Sequence, residues 1–149
     1  MKTLLNANDS AEIAARIHNL SVDANARWGK MNVSQMFAHL QGPLRIGLQE
    51  VKLRQSLVGM LFGRLVLKKF LSDEPWRRGM PTDKTFIVSE PREFNQEKDK
   101  LLELIGRFNR VGPGGISKHR HPFFGKLSPE EWGRLMWTHI NHHLKQFGA

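Results

Sequence analysis

Ser128-Pro129-Glu130-Glu131-Trp132, continuing to His139-Ile140-Asn141-His142-His143-Leu144-Lys145-Gln146-Phe147, is the stretch whose reading decides the fold. Ser128 is placed to cap a helix, Pro129 suits its first turn, and Glu131 sits where a capping box needs a carboxylate. Trp132, Leu135, Met136 and Phe147 recur at helical intervals, so one face of this helix turns inward. His139 and His143 fall on that same face, one turn and about 6 Å apart. Two inward imidazoles at this spacing form a chelating pair, and one more ligand from another element would complete a metal site.

The search for that ligand leads back to a second well-marked helix. Asn32 caps it and Gln35 can reach back to the cap. Val33, Met36, Phe37, Leu40 and Leu44 mark its buried face, and His39 lies at the edge of that face. Pro43 removes a backbone donor and predicts a kink just beyond His39; the helix is expected to reach about residue 50. Three neutral imidazoles leave the charge of a divalent ion uncompensated and one coordination position open, the arrangement of a catalytic site.

The remaining elements are also helical. Asn8-Asp9-Ser10 supplies capping residues, with Ile13, Ile17 and Leu20 behind them, predicting a helix over 9–20. Residues 55–70 read as another, shorter helix in which Gly59 and Gly63 permit close packing. Pro75, Pro81 and Pro91 argue for a long irregular connection over 71–91, with Lys84-Thr85-Phe86-Ile87-Val88 extended. A helix over 93–110 has Phe94, Leu101, Leu102, Leu104, Ile105 and Phe108 on its apolar side and Glu97 and Lys98 outside. Gly112-Pro113-Gly114-Gly115 is expected to stop it. Four long helices and almost no strand signal predict one all-α domain over 1–149, a helix bundle with an additional short helix before the long connection.

Composition narrows the function classes. The chain has 149 residues and no cysteine, which excludes disulfides, zinc–thiolate sites and a cysteine nucleophile. The N-terminal residues lack the apolar run of a signal peptide. The most apolar stretch, Leu57 to Leu67, is too short to span a bilayer and contains Arg64. A cytoplasmic protein without a membrane span is the expectation. The net charge of +9 suits anionic small molecules, anionic lipid or nucleic acid. The basic residues are spread in small knots rather than gathered in one helix, so nucleic acid is the weaker expectation.

Other candidate chemistries have simpler accounts. His142 lies off the face shared by His139 and His143 and reads as a surface histidine, or else as a group near substrate. Gln146 is a helix-end polar residue that can hydrogen-bond a ligand. His119 and His121 form a His-x-His pair among Lys118 and Arg120, where like charge disfavours a cation; they read as loop residues near a pocket mouth. Ser89, Ser117 and Ser128 have turn and cap explanations. No phosphate-binding glycine loop and no His-Glu-x-x-His is present.

Trp28-Gly29-Lys30-Met31-Asn32 leading into Ser34-Gln35-Met36-Phe37-Ala38-His39, then His121-Pro122-Phe123-Phe124-Gly125-Lys126-Leu127, then His139-Ile140-Asn141-His142-His143, together resemble the DinB/YfiT-like superfamily, in a branch classed as a domain of unknown function. The resemblance runs over nearly the whole chain. It implies a four-helix bundle with up-down-down-up connectivity, often a homodimer. It also implies a divalent metal (nickel, zinc or iron) held by His39, His139 and His143. Characterised members of that superfamily include S-transferases and an isomerase that use a low-molecular-weight thiol. Many relatives have His-His-Arg-Gly-Gln where this chain has His142-His143-Leu144-Lys145-Gln146, so no substrate is carried over.

Three readings follow. The first is a metal-dependent enzyme, a transferase in which an external thiol attacks a small, anionic substrate, with a hydrolase using water as its close variant. The second is a non-enzymatic module that presents a basic face to nucleic acid. The third is a bundle whose histidines are structural.

Overall fold

The computed structural model describes residues 1–72, 74–80, 84–116 and 118–149. Its elements, in chain order, are α1 (Ala7–Asn19), α2 (Val33–Gly47), α3 (Leu57–Phe70), a 3-10 turn (Lys84–Phe86), α4 (Phe94–Gly115) and α5 (Pro129–Gln146). Among the described residues there is no strand, only one isolated bridge between His121 and Gly125, so the domain is all-α. Pro81, read as a helix breaker, and Ser117, read as a turn residue, lie outside the described residues. No helix among the described residues is long and apolar enough to cross a membrane.

The caps of α2 and α5 form as their sequences dictate. Asn32 and Gln35 close a capping box on α2, and Ser128 and Glu131 close one on α5, with Pro129 in the first turn. Such caps satisfy amide groups that have no partner inside the helix, and each contributes on the order of 1 kcal/mol. α1 starts earlier than its sequence suggests. Its cap is Asn6, whose side chain accepts from the amides of Asn8 and Asp9. Asp9 instead accepts from the Thr3 amide at 3.0 Å and pins the chain before the helix.

α2 packs against α4 and α5, α1 packs against the same two helices, and α4 also meets α5. The core between them holds Ile13, Phe37, Leu44, Phe108, Trp132 and Leu144, all essentially sealed from solvent. Arg16 of α1 donates to Asn141 of α5 at 2.8 Å and to the Ala149 carbonyl at 3.1 Å. These bonds set the register of α5 against α1.

Several expectations are corrected. α2 runs through Pro43 but ends at Gly47 rather than near residue 50, because Gln49 takes a left-handed conformation with φ 64°. Gly112 breaks α4 with φ 59°, yet one further turn follows it to Gly115. Residues 84–86 are not extended; they form the 3-10 turn. Glu97, expected outside, is buried, because Gln41 of α2 donates to its carboxylate at 2.7 Å. A buried carboxylate needs such partners, and Lys100 supplies another at 3.3 Å. α3 has 14 residues and is no shorter than α1 with 13.

α3 is moored differently from the others. Its buried positions are Gly59, Gly63 and Leu67. A Cβ on Gly59 or Gly63 would lie 2.4 or 2.1 Å from the Phe123 carbonyl oxygen. Only glycine allows this approach, as its spacing predicts. The Ser56 amide donates to the Pro122 carbonyl at 2.8 Å, and Arg64 pairs with Glu131 at 3.1 Å. α3 therefore rides on the 121–131 segment.

Candidate metal centre

α2 and α5 bring His39, His139 and His143 together. One ring nitrogen from each lies within 4.8 Å of the others. The Nε2 atoms of His39 and His139 face each other at 3.2 Å. In a tetrahedral site with bonds of about 2.0–2.1 Å, two donor nitrogens stand about 3.3 Å apart. That pair already has ligand spacing, and the cluster closes on an ion with side-chain movements of about 1 Å, so the donor set fits a divalent metal.

The outer bonds of two rings fix which nitrogen faces inward. His39 donates from Nδ1–H to the Phe86 carbonyl oxygen at 2.8 Å, so its Nε2 carries the lone pair. Gln146 donates from Nε2 to the Trp28 carbonyl oxygen, which turns its Oε1 toward His143. His143 then donates from Nδ1–H to that oxygen at 2.7 Å, and its Nε2 also carries the lone pair. A carbonyl or amide oxygen behind a ligating imidazole is the usual device for orienting it. Gly29 makes the second relay possible: its φ is 83°, and a Cβ there would sit 2.6 Å from Gln146 Nε2.

The electrostatics keep the rings neutral. Burial pushes His139 well below the ordinary imidazole range, and the neighbouring His143 and His39 push in the same direction. Burial lowers His143 to about 3, with His39 adding to the effect and the Gln146 bond opposing it. Burial also lowers His39, against the bond to Phe86. Neutral imidazole is the metal-binding form.

The cluster lies on the wall of a cavity of about 630 Å³. His139 and His143 keep partial exposure toward it. The other walls are largely apolar and aromatic, with Trp28, Phe70, Trp76, Phe86, Phe124 and Met136 among them. Trp76 stacks on His139 with ring centroids 5.6 Å apart and planes 24° from parallel. Lys30 also lines the cavity, and Arg78 lies over the Trp28 ring at 4.5 Å.

The other candidates find distinct places. His142 is not a surface histidine: it is half-buried, lines the cavity, and packs on Trp28 at 5.6 Å and Trp76 at 5.8 Å. Burial, then Lys145 and Arg78, lowers its pKa. Gln146 is buried and orients His143. His121 lines the cavity, but its Nδ1 accepts the amides of Phe123 and Phe124 at 3.1 and 3.2 Å. That loop therefore occupies the nitrogen in building itself. His119 is not part of the cavity lining. Trp28, Trp76 and the Phe86 carbonyl escape a reading of the sequence. A tryptophan beside two arginines in the proline-bounded segment Pro75-Trp76-Arg77-Arg78 is a faint signal for the second; a backbone oxygen leaves none.

Fold and site together define an all-helical domain with a cluster of three imidazoles that can bind a metal ion. The family model described as protein of unknown function (DUF1569) matches residues 1–149, and the chain belongs to that family. No curated protein and no solved structure matches it.

Proposed function

We propose that this protein is a metal-dependent enzyme on a DinB-like four-helix bundle made of α1, α2, α4 and α5, and that it transfers a group to or from an external low-molecular-weight thiol. The pairwise packing of those four helices supports the bundle, with α3 as the addition. One observation carries the enzymatic reading: His39, His139 and His143 converge on the wall of a cavity large enough for a small molecule, with two of the rings locked by outer hydrogen bonds. The focus of three ring nitrogens on a cavity wall supports this reading over purely structural histidines.

A divalent ion held there supplies a Lewis acid that lowers the pKa of a thiol or of water. The residues of the chain do the rest. His39, His139 and His143 would hold the ion, and the Phe86 carbonyl and Gln146 orient two of them. Trp28, Trp76 and Phe124 exclude water and strengthen electrostatic interactions inside the cavity. Lys30 in the cavity wall and Arg78 over the Trp28 ring favour an anionic partner. The thiol comes from outside, because the chain has no cysteine. Water in place of the thiol gives the hydrolase variant. A nucleic-acid module leaves the imidazole cluster unexplained.

Metal analysis tests the reading. Untagged protein, reconstituted separately with nickel, zinc or iron(II) and dialysed, should retain about one equivalent, and His139→Ala about a tenth or less. Wild-type protein that retains less than a tenth, or a His139→Ala variant that retains as much as wild type, refutes the site. Thiol consumption that depends on metal and on an added electrophile separates the transferase from the hydrolase.

A further inference from the structure

α3 carries an apolar face that none of the described residues covers. Leu57, Leu61 and Leu65 follow one another at four-residue spacing, and they are 75, 77 and 70% exposed. Val58, Met60 and Phe62 widen the same face and are also more than half exposed. The opposite side of the helix is the glycine side, pressed on Phe123. The face is therefore not a core stripe left loose: the contact that holds α3 uses other positions. Contiguous exposed apolar surface on this scale marks an interaction site.

The charge around the face selects the partner. Between residues 51 and 72 the chain has Lys52, Arg54, Lys68 and Lys69, together with Arg64, which Glu131 pairs, and no acidic side chain. Lys52 and Arg54 precede the helix, and Lys68 and Lys69 stand in its last turn, all exposed. Apolar side chains bordered by lysine and arginine fit the boundary between headgroups and acyl chains, where the apolar groups enter and the cations meet anionic lipid. A second copy of the chain fits poorly. An antiparallel pair of α3 helices sets Lys68 and Lys69 over Lys52 and Arg54, and a parallel pair sets like over like; cations face cations either way. Nucleic acid would meet the cations but has no use for the leucines.

We propose that α3 docks this protein peripherally on an anionic bilayer surface, with Leu57, Leu61, Leu65 and Phe62 inserted at the interface and Lys68 and Lys69 on the headgroups. The proposal is independent of metal binding. It also gives the exposed helix a reason to be apolar without being long enough to span.

Vesicle co-sedimentation with the full chain tests it. Vesicles of phosphatidylcholine with about 30% phosphatidylglycerol should bind the protein at low salt far better than phosphatidylcholine alone. The double variant Leu61→Ser/Leu65→Ser should weaken partitioning by roughly tenfold or more, and Lys68→Gln/Lys69→Gln by roughly tenfold. Both pairs are exposed, and circular dichroism with thermal melting checks that each variant folds. No binding to the anionic vesicles at low salt overturns the proposal. So does binding that the leucine variant leaves unchanged, because charge alone then explains it. A dimer in analytical ultracentrifugation that dissociates in the leucine variant, without vesicle binding, assigns the face to a second copy and overturns it too. Capture of a DNA duplex that depends on Lys68 and Lys69, without vesicle binding, assigns the charges to nucleic acid with the same consequence.

Discussion

α5 and α3 are both rich in large apolar side chains, yet they meet opposite environments. On α5, Trp132, Leu135, Met136, Ile140 and Leu144 are buried, and even the polar positions His139, His143 and Gln146 turn toward other protein groups. On α3, Leu57, Leu61 and Leu65 point to solvent while Gly59, Gly63 and Leu67 make the contact. The difference lies in what each inward face offers its neighbours. Large side chains interdigitate with α1, α2 and α4 and hold the core at native density. Glycines bring a helix backbone against a loop carbonyl and bury little. Apolar content thus says that a helix has a partner, and the residues at the contact say which side the partner is on.

That contrast can be broken by substitution. Trp132→Ala removes a fully buried ring and should cost about 3–5 kcal/mol of unfolding free energy, whereas Leu61→Ser should stay within about 0.5 kcal/mol. Urea unfolding followed by circular dichroism checks both. A loss above 2 kcal/mol for Leu61→Ser would mean that α3 is packed more tightly than its exposure implies.

Acid should separate the two regions as well. Unfolded histidine takes up a proton near pH 6.5, while folded His143 resists until about 3. Between those values the unfolded state binds more protons, so metal-free protein should be fully stable above about 6.5 and lose stability as the pH falls toward 3. Each such imidazole contributes at most about 1.4 kcal/mol per pH unit. Melts of chelator-treated protein at pH 7.5 and 5 measure the slope, and a flat profile would contradict burial of neutral rings on α5.

The smaller structural effect concerns the glycine contact. Gly63→Ala places a Cβ against the Phe123 carbonyl and should cost about 1–3 kcal/mol. Its signature is local: amide exchange should rise in α3 and around residues 121–125 and stay low in α5. Equal protection of α3 in wild type and variant would show that the helix shifts outward at no cost.

How much of this was legible in the sequence depends on the range of the interaction. The capping boxes at Asn32 and Ser128 are local, and both form as read. The spacing of His139 and His143 is local too, and the apolar setting of His39 pointed to the element that meets them. The Gln41–Glu97 contact joins helices far apart in sequence, so Glu97 looked like a solvated residue. His142 looked exposed because Trp28 and Trp76, which cover it, come from irregular connections. The Phe86 carbonyl could not be found at all, since every residue has one and only the 3-10 turn aims it. The exposed face of α3 was hidden for a related reason: leucines at helical spacing read the same inside or outside.

The bonds behind His39 and His143 carry one more consequence. Rotating either ring about its Cβ–Cγ bond would swap a donor nitrogen for a carbon and break a hydrogen bond of 2.8 or 2.7 Å. Neither imidazole has that freedom to lose when something engages its inward nitrogen. Ordering a flexible side chain at an interface costs about 0.5–1.5 kcal/mol, and here folding has already ordered two. The cluster is oriented from behind, by a turn between α3 and α4 and by the segment before α2, so its shape depends on backbone groups outside the two helices that carry the histidines.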